Sequence, residues 1–129
     1  MVRSDLDNRL RELGIYSDFY YRKELKALMQ MLGEYEKLNC LFTGVHEGNR
    51  KMVAVTDRRI LILFTPFGGG DAKMIRRESV KSWRFDKRML FSSVTIETNG
   101  GSSFTFTNTQ GKLKDLFEWA MSQPLPAAE

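Results

Sequence analysis

The chain has 129 residues, of which 42% are hydrophobic and 28% charged, an ordinary globular composition long enough for one core without disulfides or a metal. Its single cysteine, Cys40, has no intrachain partner, which excludes a disulfide scaffold and fits a reducing, cytoplasmic setting. The formal charge of +4 is unevenly spread: residues 1–49 carry 7 basic and 8 acidic side chains, residues 50–88 carry 11 and 4, and residues 89–129 carry 2 and 4.

The opening stretch MVRSDLDNRLREL is too charged for a signal peptide, and no apolar run nears the roughly 18 residues of a membrane span. Residues 1–32 read as a helical segment in two pieces. Leu6, Leu10 and Leu13 recur at helical spacing before Gly14. After Ser17 or Asp18 as a candidate N-cap, Tyr21, Leu25, Leu28, Met29 and Leu32 form a second stripe that ends at Gly33. This stripe is a candidate partner-helix face, for another subunit or another protein. A helix packed on its own domain would carry the same stripe.

From Leu38 the period changes to two. Residues 38–46 and 50–56 read as strands joined by Glu47-Gly48-Asn49, and Arg59 to Thr65 is apolar enough for a central strand. A break at Pro66 to Asp71 precedes a short charged strand, Lys73 to Arg77. Trp83 and Phe85, then Val94 and Ile96, then Phe104 and Phe106 alternate with polar neighbours. Leu113, Leu116, Phe117, Ala120 and Met121 mark a closing amphipathic helix, and residues 124–129 have no periodicity and read as a disordered tail. Seven short strands with turn signals between them predict a curled antiparallel sheet or a barrel with a helix plugging one end.

The order Gly33-Glu34, Val53-Ala54-Val55-Thr56-Asp57-Arg58-Arg59-Ile60-Leu61-Ile62-Leu63, Glu78-Ser79-Val80-Lys81-Ser82 and a final helix resembles bacterial pleckstrin-homology-like (PH-like) domains of the YokE-like type. The resemblance runs over roughly residues 33–123. It implies an α+β fold: a PH-like seven-stranded antiparallel barrel of two orthogonal sheets, capped by a C-terminal helix and preceded here by the N-terminal helical segment. It also implies a tendency to homo-oligomerise and no enzymatic activity.

The residues offer little chemistry of their own. General acid–base or nucleophilic catalysis needs a positioned constellation, usually with histidine. His46 is the only histidine, and it is expected near the surface beside a turn. Cys40 shares its strand parity but lies about 20 Å away at roughly 3.3 Å per residue. One Cys and one His do not make a zinc set, and Gly68-Gly69-Gly70 lacks the arrangement of a phosphate loop. No catalytic residue, metal or cofactor is expected.

Three binding readings follow. The first is a non-enzymatic interaction module for protein partners, including copies of itself. The second is an anion or anionic lipid surface met by a basic patch of Arg50, Lys51, Lys73, Arg76 and Arg77. The alternation of basic residues typical of phosphoinositide sites is missing, because Met52 is followed by Val53 and Ala54. Arg and Lys on the solvent face of strands would also give this composition. The third is nucleic acid on the interleaved aromatics and cations Trp83, Arg84, Phe85, Lys87 and Arg88, which the shared parity of the two aromatics disfavours. If Leu61 and Leu63 are buried along with Ile60 and Ile62, something must cover the outer face of their strand.

Overall fold

A computed structural model describes residues 2–65 and 71–126. Three helices, α1 (Arg3–Glu12), α2 (Tyr16–Phe19) and α3 (Glu24–Met31), precede seven strands. These are β1 (Leu38–His46), β2 (Asn49–Thr56), β3 (Arg59–Phe64), β4 (Asp71–Arg76), β5 (Val80–Asp86), β6 (Ser92–Thr98) and β7 (Ser103–Thr109), followed by α4 (Lys114–Ser122). The expected glycine hairpin tip at Gly68 to Gly70 and the last three residues of the expected tail lie outside the described residues.

The strands form one antiparallel sheet in the order β4-β3-β2-β1-β7-β6-β5. β4 and β5 are its two ends, so the sheet curls without closing into a hydrogen-bonded ring. The turn between β1 and β2 is tighter than the predicted tripeptide. Only Glu47 and Gly48 make it, both at positive φ, because Asn49 already pairs with His46.

The fold-over falls where β1 crosses β7, paired at Val45↔Thr107. Gly44 is what lets the two strands approach. A Cβ there would stand 2.7 Å from Cβ of Phe106 and 2.9 Å from Cγ2 of Thr109.

Cross-strand pairing sorts the apolar residues into two faces. Cys40, Val55, Ile60 and Ile75 lie side by side on the inner face, as do Phe42, Val53 and Ile62. On that face α4 closes the cup: Phe117 meets Phe42, Trp83 and Phe85 at ring separations of 5.6, 5.7 and 5.7 Å. The outer face holds Leu41, Ala54 and Leu61 in one row and Met52 and Leu63 in another, all buried. Register sets Phe42 opposite Val53 and turns Leu41 outward.

The N-terminal helices cover the outer face, so the burial of Leu61 and Leu63 is met from within the chain. Leu25, Leu28 and Leu32 are buried, Met29 packs against the same core, and α3 lies on β3. Arg9 donates to the Leu38 carbonyl at 2.7 Å and to the Asn39 side-chain carbonyl at 2.9 Å, which pins α1 to the start of β1. Of the five residues considered for a partner-helix face, Tyr21 alone stays outside, 62% exposed. The segment also breaks into three helices rather than two. Ser17 and Asp18 sit inside the four-residue α2 instead of capping the longer helix.

A cleft beside the edge strand as candidate functional site

The linker between α3 and β1 is tied to the turn between β2 and β3. Glu36 is buried and takes hydrogen bonds from Arg59 Nε at 2.8 Å, Arg59 Nη2 at 2.9 Å, Thr56 Oγ1 at 2.7 Å and the Gly33 amide at 3.0 Å. Burial alone would raise the carboxyl's pKa. The donors from Arg59, Thr56 and Gly33 outweigh it, leaving the group below the usual carboxylate range. The hydrogen bond from its guanidinium to Glu36 raises Arg59 in turn.

Thr56 Oγ1 also accepts from the amides of Arg58 and Arg59 at 3.1 and 3.0 Å, shaping the turn as an ST motif. Asp57 pairs with the backbone of Lys37, accepting its amide at 3.0 Å and donating to its carbonyl at 2.9 Å. The Thr56-Asp57-Arg58-Arg59 run that carried the resemblance is therefore a structural staple. The Thr56 hydroxyl, the Asp57 carboxylate and most of the Arg59 guanidinium are turned toward the chain, and the Arg58 side chain is left exposed.

Above this staple opens a cleft of about 730 Å³. Tyr35, Arg58, Met74, Arg76, Glu78 and Leu125 are among its walls. Tyr35 is 79%, Met74 46% and Leu125 45% exposed, so three large apolar side chains gather around one opening. β4 forms one wall, and its outer edge has no strand partner among the described residues. The ionic rim is mixed in sign, with Arg76 4.0 Å from Glu78.

A second hollow of about 350 Å³ lies at the mouth of the cup, between His46, Lys51, Phe64, Lys73 and Phe104. His46 lies directly before the turn, as expected, and is half-buried. Its ring packs 5.2 Å from Phe106 and 5.8 Å from Phe104, and its Nδ1 lies 3.0 Å from the Thr105 carbonyl. Lys73 lies 5.1 Å over the Phe104 ring, and Lys51 lies 3.9 Å from Glu47.

Of the five residues of the predicted basic patch, only Lys51 and Lys73 share this hollow. Arg76 lines the cleft beside β4. Arg50 reaches Thr43 Oγ1 at 3.1 Å and the Asn108 carbonyl at 3.3 Å. Arg77 donates to the carbonyls of Met121 and Gln123, both at 2.9 Å, and so secures the end of α4. Burial lowers its pKa, against the pull of Asp57.

Cys40 is fully buried, and burial pushes its thiol well above the ordinary range. Trp83 and Phe85 pack on Phe117, so the aromatics of the nucleic-acid reading are inside the cup. Among the described residues no cluster of three or more His, Cys, Asp or Glu could hold a metal ion, and no helix is long and apolar enough to cross a membrane.

Sequence reasoning passed over Tyr35, Met74 and Leu125. Each stands outside the periodic stretches or on a strand too short to show a period. Residues 32–119 match the family described as bacterial PH domain.

The chain belongs to the bacterial PH domain family. The order of seven strands and a closing helix described above is the architecture this membership implies. A solved structure described as the C-terminal domain of an unknown protein from Leishmania infantum shares the fold, with a TM-score of 0.54 at 17% identity over 81% of this chain and 93% of that one. No match was found among curated proteins.

Proposed function

We propose that this bacterial PH domain is a non-catalytic protein-interaction module of the cytoplasm that binds along the open edge of β4, first of all to a second copy of itself. One observation carries the reading. Tyr35, Met74 and Leu125, all exposed, surround a cleft whose wall is an unpaired edge strand. An exposed strand edge is a template for adding another strand, and Tyr, Met and Arg are the residue types enriched where proteins meet. The mixed ionic rim of Arg58, Arg76 and Glu78 suits a protein surface better than a phosphate, which calls for converging cations.

The charge pattern along β4 allows self-pairing. With a two-fold axis at Met74, antiparallel pairing sets Ala72 opposite Arg76 of the copy and Lys73 opposite Ile75 of the copy, so no like charges meet. The test is sedimentation velocity over a micromolar concentration series. The wild type is expected to self-associate, and Met74→Lys with Tyr35→Ser is expected to weaken the dimer about tenfold or more while circular dichroism shows the fold retained. A wild type that stays monomeric throughout overturns the reading.

A further inference from the structure

A second concentration of exposed apolar surface lies away from the cleft, in the loop joining β5 to β6. Met89 is 99%, Leu90 82% and Phe91 63% exposed. Three consecutive large apolar residues standing in water carry an unfavourable hydration cost that a chain with a well-filled core has no folding reason to accept.

The two residues before them are Lys87 and Arg88, both exposed. Neither forms an ion pair with a carboxylate among the described residues, because the adjacent Asp86 is taken by Arg84 at 2.8 Å. The loop root is anchored. The Arg88 amide donates to Ser92 Oγ at 3.4 Å, and a Cβ on Gly111 would stand 3.5 Å from Lys87 Cγ. Lys112 follows directly and reaches back 2.6 Å to Asp18 of α2.

We infer that the loop of residues 87–91 is a bilayer anchor: Met89, Leu90 and Phe91 enter the interfacial region of an anionic phospholipid membrane while Lys87 and Arg88 bind its headgroups. The exposure fits a membrane rather than a protein pocket, because Met89, Leu90 and Phe91 stand in solvent and line neither of the two hollows described above. The charge fits as well. Cations flanking an apolar tip are attracted by anionic lipid, while the apolar residues supply affinity that salt does not screen. This site is separate from the β4 cleft and from the hollow that holds Lys51 and Lys73.

The experiment is co-sedimentation of the full chain with vesicles of phosphatidylserine in phosphatidylcholine, with phosphatidylcholine vesicles as the second arm. Binding to the first arm only is expected. Leu90→Asp should reduce it about tenfold or more, from the apolar area no longer transferred. Lys87→Glu with Arg88→Glu should also reduce it, and Lys51→Ala with Lys73→Ala should leave it unchanged. Leu90→Trp should give a blue-shifted emission on the anionic vesicles. All these positions are exposed or half-buried at the surface, and unchanged melting temperatures confirm that the variants fold. No binding of the wild type to the anionic vesicles at low salt overturns the inference. So does binding that survives Leu90→Asp, or that is lost in the Lys51/Lys73 variant. Loss of self-association in Leu90→Asp without any effect on vesicles would reassign the loop to a second copy and overturn it too.

Discussion

Glu36 and Arg59, 23 positions apart, hold each other through two hydrogen bonds of 2.8 and 2.9 Å at the point where the N-terminal helices meet the sheet. Arg59 Nη2 also donates to the Met31 carbonyl at 2.6 Å, so one guanidinium ties the end of α3, the linker and the start of β3. Removing Arg59 leaves the Glu36 carboxylate buried and unmatched. Arg59→Met is expected to lower stability by about 3 kcal/mol in urea unfolding, and Glu36→Gln by somewhat less because an amide still accepts hydrogen bonds. The double variant should recover part of the sum.

The same pair sets an acid limit. Glu36 titrates lower in the folded chain than when unfolded. The sign follows: its contribution is complete above the unfolded carboxyl value of about 4.3 and is lost as pH falls through the lower, folded value. Melting temperature recorded from neutral to acid pH should drop more steeply for the wild type than for Glu36→Gln over that window.

Gly44 should be intolerant of any side chain. Its neighbours at the crossing include Cβ of Phe106 and the Thr107 carbonyl, the latter 3.2 Å from an added Cβ, and backbone cannot swing aside as a side chain tip can. Gly44→Ala is expected to cost about 2 kcal/mol or more, and Gly44→Val to prevent folding, read by circular dichroism and soluble yield.

The helical segment belongs to the core. Leu28 is fully buried against the sheet's outer face, so Leu28→Ala should cost about 3 kcal/mol in the same unfolding assay. An arm serving only a partner would cost nothing in the isolated chain.

Much of this architecture is legible in the residues. The two-residue period marked β1 to β7, and the stripe through Phe117 and Ala120 marked α4. What pattern alone could not supply was pairing. Leu41 and Phe42 are both apolar, so only register shows that Phe42 faces Phe117 and Leu41 faces the helices. Leu61 and Leu63 signalled a covered outer face without naming the cover, because a stripe such as Leu25, Leu28 and Leu32 fits equally on its own sheet or on a partner. The cleft was hidden for a related reason. Tyr35 lies in a linker, Met74 on an edge strand and Leu125 in an aperiodic tail, and folding alone makes them neighbours. The basic patch dispersed because Arg50 and Arg77 found carbonyl partners within the chain.

The most direct test of binding along β4 is amide hydrogen exchange, residue by residue, at low and high protein concentration. Slowed exchange confined to Asp71–Arg76 and the Tyr35 linker at high concentration is the predicted result. Exchange along β4 that does not depend on concentration would contradict it.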